Sequence, residues 1–363
     1  MRVLIAPDSF GETLTAVEAA EAMAAGWSAA RPGDVVVRAP QSDGGPGFAD
    51  VISTTTGGMR STHVAGPLGR DADAQWVLAD GTAYIESAQA VGLGLLGGPP
   101  SRISSLDAHS RGVGELIGAA IDAGARRLVV GLGGSCCTDG GRGMIEALGG
   151  FERARERLDG VTLVAATDVE NPLLGEHGAA HVFGRQKGAD ASAIDILERR
   201  NVAWADELER QCGGPVSDRP GAGAAGGLGA ALLALGAIRE SGAEVVAECT
   251  GQATQLAESD IVVTGEGRFD RQSLRGKLVT TLAAAAGRLG VPTVVVAGQV
   301  VVDRDTARAA GIVAAFSVAE FAGSVERAMS DAAGRLEALT SCVADGWRGA
   351  AGFAASGSVH PDT

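Results

Sequence analysis

Residues 2–18 read Arg2-Val3-Leu4-Ile5-Ala6-Pro7-Asp8-Ser9-Phe10-Gly11-Glu12-Thr13-Leu14-Thr15-Ala16-Val17-Glu18. The apolar run Arg2–Ala6 stops at Pro7, which marks a short buried strand. Thr15 with Glu18 three residues later forms a capping box that opens a helix, and Arg31-Pro32-Gly33 stops it. Asp34–Arg38 is the next strand. Strand, polar loop, helix and strand in succession make an α/β unit.

The same alternation recurs along the chain. Parallel-type strands are expected at Arg127–Gly131, Thr162–Thr167, Asp260–Thr264, Thr293–Ala297 and Ile312–Phe316, and 189–217 reads helical. The segment 59–87 differs, with short strands at Ser61–Val64, Ala74–Leu78 and Ala83–Ile85 joined by tight turns, which predicts an antiparallel or mixed patch. A chain of 363 residues exceeds what one core usually serves. We therefore expect a Rossmann-like domain built from 1–46 and 255–363, with 47–254 inserted as a second α/β domain.

Composition narrows the function classes. Hydrophobic residues at 45% with charged residues at 20% describe a folded chain. The net charge of −14 repels polyphosphate backbones, which argues against nucleic acid as a partner. Of 30 basic residues only Lys187 and Lys277 are lysines. A compact ammonium is not reproduced by a forked guanidinium, so these two positions are candidates for function. The cysteines Cys136, Cys137, Cys212, Cys249 and Cys342 lack metal-type or disulfide-type spacing and read as thiols of a reducing compartment. The N-terminal apolar run is too short for a signal peptide, and the uncharged stretch 220–238 holds six glycines, a poor membrane span. A cytoplasmic protein without a membrane partner is expected.

Glycine- and acid-rich loops stand near the predicted strand ends, where open α/β sheets hold ligands. The first two are Asp8-Ser9-Phe10-Gly11 and Ser42-Asp43-Gly44-Gly45. The third, Gly131 to Gly141, contains Gly133, Gly134, Ser135 and Asp139 and leads into a helix around Met144–Leu148. Its N–H groups suit an anion, and Asp139 there reads as a metal ligand, a proton acceptor or a plain helix cap. The stretch 220–229 offers only backbone, to phosphate or to close packing. The last loop, Thr264-Gly265-Glu266-Gly267-Arg268-Phe269-Asp270, crowds charged groups before Lys277. Lys187 follows Asp168-Val169-Glu170-Asn171-Pro172 and Gln186. His177 and His181 are four apart, but Gly178-Ala179-Ala180 reads as the lead into a strand, so a zinc site is not expected. No P-loop, nucleophile elbow or protein-kinase motif occurs. Carboxylates, cations and backbone-rich loops around strand ends are the parts of phosphoryl transfer.

In order along the chain, Asp8-Ser9-Phe10, Asp43-Gly44-Gly45, Gly133-Gly134-Ser135 with Asp139-Gly140-Gly141, Asp168-Val169 with Asn171-Pro172-Leu173, Gln186-Lys187-Gly188-Ala189, Pro220 to Gly229 and Thr264 to Arg268 resemble the bacterial glycerate kinase family, type I. The resemblance runs from the first strand to about residue 320. It implies a two-domain α/β fold, one domain Rossmann- or flavodoxin-like, with the active site in the cleft between them. It also implies ATP-dependent phosphorylation of a hydroxyl of D-glycerate, commonly to 2-phosphoglycerate. Mg²⁺ is expected from the phosphoryl-transfer parts above, and a homodimer is a candidate assembly. On this reading Asp43 and Asp139 bind metal or activate the hydroxyl, and Lys187, Arg268 and Lys277 neutralise charge. Asp8, Ser9, Gly44, Gly45, Gly133, Gly134, Ser135, Asp168, Asn171, Gln186, Gly265 and Glu266 contact substrate or nucleotide.

The chain also departs from the family pattern. Gly11-Glu12 stands where the family's first loop carries Lys-Gly, and Pro46 replaces a glutamate. Cys136-Cys137-Thr138 replaces Ala-Thr-Asn before Asp139, and His109-Ser110-Arg111-Gly112 replaces Thr-Ser-Tyr-Gly. Three rivals follow: a kinase of this family retuned to another hydroxy acid, an inactive nucleotide-binding homologue, and a dehydrogenase. The last is opposed by the missing G-x-G-x-x-G after strand one.

Overall fold

The computed structural model describes residues 1–274, 278–349 and 352. It separates into two compact units, one made of Met1–Ser42 with Ala247–Thr363, the other of Asp43–Val246. The breaks fall at Ser42/Asp43 and Val246/Ala247, where the sequence suggests about 46 and 254. The loop beginning at Asp43 goes with the second unit because its glycines pack there: a Cβ on Gly44 would lie 2.9 Å from the Ala166 carbonyl oxygen.

In the first unit, five parallel strands stand in the spatial order Ile312–Ser317, Thr293–Ala297, Ile261–Thr264, Arg2–Ile5, Val35–Arg38. Val3 and Ile5 pack into a core with Met23, Trp27, Leu336 and Val343, whereas Leu4 and Ala6 pack with Leu256, Leu282 and Ala286. Alternate residues of one strand thus face helices on opposite sides, which accounts for a continuous apolar run without polar alternation. The helix Ala16–Ala30 starts on the expected capping box: Thr15 Oγ1 accepts from Glu18 N at 3.2 Å, and Thr15 N donates to Glu18 Oε2 at 2.9 Å.

This strand order is of the flavodoxin type, with the direction of winding reversing between Arg2–Ile5 and Ile261–Thr264. The loops leaving those two strands are tied together. Asp8 N donates to Gly265 O at 2.8 Å, and the buried Thr264 Oγ1 donates to Ala6 O at 2.7 Å.

In the second unit a six-stranded sheet runs Met59–Ala65, Asp71–Ala79, Thr82–Glu86, Arg127–Gly131, Thr162–Ala166, Ile238–Glu240. The first three strands are antiparallel neighbours and the rest are parallel. The long helix Ala191–Cys212 begins at Asp190, whose carboxylate accepts from Ala193 N, and ends at Gly213 in a left-handed conformation. The expected strand after Gly178 is instead the helix Ala179–Phe183. Its alanines favour a helical turn, and Ala180 packs with Ala193, Ile194 and Leu197 of the long helix.

The stretch 220–229 takes the close-packing role. Ala225, Gly226 and Gly227 all have positive φ (50°, 69° and 98°) within the segment Ala224–Ala234. A side chain on Gly226 would run into the Cys137 carbonyl, and Gly140 N donates to Gly226 O at 3.0 Å. Gly226→Ala should therefore cost about 3 kcal/mol or more, combining left-handed strain with a clash against backbone. Gly213→Ala, equally left-handed at φ 77° but with open space around its Cβ, should cost only about 1 kcal/mol. Urea unfolding of the two variants checks the contrast; equal losses would assign both effects to φ alone.

Candidate active site

Glycine brings the loops of the second unit into contact. Gly133 N donates to Gly44 O at 3.1 Å, and a Cβ on Gly133 would strike the Gly45 backbone. A Cβ on Gly131 would lie 2.6 Å from the Gly44 carbonyl oxygen. The Asp43 loop thus rests on the loop leaving the parallel strand Arg127–Gly131. Asp43 itself is exposed, and its Oδ1 accepts from Gly45 N at 3.0 Å, the Asx turn natural to Asp-x-Gly.

Behind this loop lies Glu86, 2% exposed at the end of its strand. Its Oε2 accepts from Gly47 N at 3.0 Å and Ala49 N at 3.2 Å, at the start of the helix Phe48–Thr56. Burial pushes its carboxyl up from the ordinary 4.5 to about 7, helped by the charge of Asp50 and opposed by the two backbone N–H groups. The sequence reading missed this residue. An acid closing the apolar run Tyr84-Ile85 was the available signal.

Asp139 is held by four donors. Oδ2 accepts from Ser110 N and Ser110 Oγ, both at 2.8 Å, and from Gly143 N at 3.1 Å, while Oδ1 accepts from Gly141 N at 3.2 Å. One carboxylate therefore satisfies backbone donors at the starts of two helices, Arg111–Asp122 and Arg142–Ala147. Lys187 is buried, and its Nζ donates to Ser135 Oγ at 3.0 Å and Cys137 O at 2.7 Å. Burial pulls its ammonium pKa down, against the influence of Cys137, Cys136 and Asp139. Lys187 thus braces the glycine loop from beneath.

Asn171 is engaged within its own turn, donating through Nδ2 to His177 O at 2.8 Å. Asp168 and Gln186 are exposed, and among the described residues neither bonds to another candidate. His181 Nδ1 lies 3.5 Å from Glu198. Lys277 lies outside the described residues.

The first unit places Asp8, Ser9, Glu266 and Arg268 around one pocket of about 490 Å³ at the point where the winding reverses. Val318, Ala328, Met329 and Leu336 add an apolar part to its lining. Gly265 and Gly267 allow this approach: a Cβ on Gly267 would lie 3.1 Å from Gly11 N, and one on Gly265 would lie 3.1 Å from Phe10 Cζ. Arg268 is exposed, donating to Gln299 Oε1 at 3.0 Å and to Asp270 Oδ2 at 3.3 Å. Gly11, at φ 62°, stands open at the rim.

A magnesium ion at a phosphoryl-transfer site usually takes one or two carboxylates plus substrate oxygens. Asp43 fits that donor type, being an exposed carboxylate on a rigid turn. Asp139 fits it poorly, because Oδ2 already receives three hydrogen bonds.

The glycerate kinase family model matches residues 3–153 and 150–348. The chain is 40% identical to the glycerate kinase of Bacillus subtilis, covering 93% of this chain and 95% of that protein. It is 38% identical to the glycerate 2-kinase of Escherichia coli, over 92% and 94%. An uncharacterised protein of Mycobacterium tuberculosis is 57% identical over 95% of this chain and 91% of its own length. The chain belongs to the glycerate kinase family. A crystal structure from Salmonella typhimurium LT2, provisionally named glycerate kinase 2, superposes with a TM-score of 0.78 at 34% identity, covering 95% and 97% of the two chains. This family member is a kinase, a phosphotransferase, on a two-domain α/β scaffold. Among its described residues no helix is long and apolar enough to cross a membrane.

The buried acid beneath the Asp43 loop makes stability depend on pH. Glu86 stays protonated in the folded chain up to about pH 7 but ionises near 4.5 once unfolded. Its contribution is therefore complete below 4.5 and lost as pH rises to about 7, amounting to about 3 kcal/mol. Glu86→Gln should flatten that part of the stability profile, read from urea midpoints at pH 5 and pH 8. An unchanged slope would remove Glu86 as its origin.

Proposed function

We propose that the chain is a cytoplasmic kinase that phosphorylates a hydroxyl of a small hydroxy acid, D-glycerate to 2-phosphoglycerate foremost, using ATP and Mg²⁺. The observation that carries the nucleotide part is the pocket of about 490 Å³ at the reversal of the first unit's sheet. A lining that combines the apolar Val318, Ala328, Met329 and Leu336 with Asp8, Ser9, Glu266 and Arg268 suits a flat base together with ribose and phosphates. Arg268 would meet phosphate charge, with Lys277 as a further cation.

In the second unit, Asp43 is the carboxylate we assign to holding Mg²⁺ or receiving the acceptor's proton. Bound Mg²⁺ would neutralise charge on the phosphate oxygens. A loose phosphoryl-transfer transition state demands little deprotonation of the alcohol, so a carboxylate of ordinary basicity suffices. We read Lys187 and Asp139 as positioning residues that keep the Gly133–Ser135 loop and two helix starts in place. Asp168, Asn171 and Gln186 stay as proposed contacts.

A second reading, the same kinase with another acceptor, is favoured by Pro46, which follows the Asp43 loop where the family pattern carries a glutamate.

An ATP-consumption assay over C3–C6 hydroxy acids, with the product position read by phosphorus NMR, tests both readings. Efficiency on D-glycerate of ~10⁴ M⁻¹s⁻¹ or more supports a plain glycerate kinase, and a better acceptor elsewhere in the panel supports the retuned one. No turnover on any member overturns both. Asp43→Asn should raise the Mg²⁺ concentration for half-maximal rate if the carboxylate holds metal, or lower kcat at unchanged Mg²⁺ dependence if it is the base. Lys187→Ala, which leaves Ser135 Oγ and Cys137 O without this donor, should lower kcat by about 10²-fold through misplacement of the loop.

A further inference from the structure

A second pocket, of about 440 Å³, lies wholly within the second unit, and none of the roles above uses it. Thr138 and Asn201 line it, only 2% and 1% exposed, yet among the described residues Thr138 Oγ1 and Asn201 Nδ2 have no hydrogen-bond partner. Buried His109 Nδ1, also in the lining, is likewise unpartnered. A buried polar atom left unpaired costs about 1–3 kcal/mol, and three of them in one pocket describe a surface shaped for a ligand rich in oxygen.

The walls indicate the rest of that ligand. Arg142 lies over the Trp204 ring, its guanidinium carbon 4.7 Å from the ring centroid, and Trp204 is itself pinned by donating to Gly140 O at 2.9 Å. Arg200 donates to Leu106 O at 2.7 Å. Neither guanidinium is in an ion pair among the described residues. Arg111, also in the lining, is paired with Glu115. The lining carboxylate of Asp139 is quenched by its four donors, and those of Asp107 and Glu146 lie on exposed residues.

We propose that this pocket binds a small polyhydroxylated carboxylate and selects the acceptor of the kinase, with the carboxylate on Arg142 and Arg200 and hydroxyls on Thr138, Asn201 and His109. The assignment rests on the kinase reading above. Two features connect it to the acceptor. The pocket is built on the loop leaving the parallel strand Arg127–Gly131, on the side of the sheet where α/β proteins hold ligands. Three of its residues, His109, Arg111 and Thr138, are positions where this chain departs from the family pattern.

The test uses the full chain with D-glycerate, measured by steady-state kinetics and by calorimetry without ATP. Thr138→Val and Asn201→Leu should each raise both the acceptor KM and the glycerate Kd about 10-fold, and Arg142→Met about 10–100-fold. The KM for ATP should stay within about 2-fold, and Thr138→Ser should restore most of the affinity. Without ligand, Thr138→Val should melt no lower than wild type, since it removes an unpaired hydroxyl; D-glycerate should then raise the melting temperature of wild type but not of the variant. If wild type binds and phosphorylates D-glycerate while folded variants keep its KM and Kd, the pocket assignment falls and the kinase reading stands. If the variants weaken only 2-phosphoglycerate binding, the pocket is an effector site and the assignment also falls. If wild type neither binds nor phosphorylates any hydroxy acid of the panel, both fall together.

Discussion

The second unit depends on a contact between two backbones that no side chain could enter. Gly133 bonds to the Gly44 carbonyl while Gly131, Gly44 and Gly45 clear the space around it. Because the interior of a protein is close-packed and transmits displacement, each group fixed to these loops inherits their position. Asp43 rides on one of them. Ser135 and Asp139 ride on the other, and Lys187 props it from below. A methyl group at Gly133 would therefore disturb several functional groups at once.

Much of the architecture was legible because it is written locally. Strand runs bounded by proline or glycine, the Thr15–Glu18 box and the antiparallel character of 59–87 need only neighbouring residues. What escaped notice depends on distant partners. Glu86 acts on Gly47, 39 residues away, and Ser110 on Asp139, 29 residues away. Asn201 sits in a helix with many charged residues, and only the tertiary fold reveals that its amide is buried. The strand Ile238–Glu240 has three residues and no apolar run, so it exists by pairing with Thr162–Ala166. The left-handed stretch at Ala225–Gly227 suits its two glycines but not Ala225, and the Cys137 backbone against Gly226 leaves no room for a side chain there. The family motifs pointed to the loops that hold the candidate residues, but could not say which side chains brace a loop and which face open space.

The rarity of lysine has a physical reading at Lys187. Its slot offers a hydroxyl and a carbonyl to a single nitrogen deep in the unit. A tetrahedral ammonium can donate to both from one point, whereas a planar guanidinium would need a wider, flatter cavity. The chain's preference for arginine thus meets a steric limit here.

The chain's two ends meet in the first unit, and this sets an order of events during synthesis. Arg2–Ile5 is an inner strand of its sheet, yet one of its two neighbours closes through contacts spanning 258 residues, such as Thr264 to Ala6. At the usual 5–20 residues per second, that partner leaves the ribosome roughly 13–50 s after the first strand. The whole of Asp43–Val246 is made in the interval. During that interval Arg2–Ile5 has only Val35–Arg38 to pair with, and its other edge waits for Ile261–Thr264 while the middle of the chain folds.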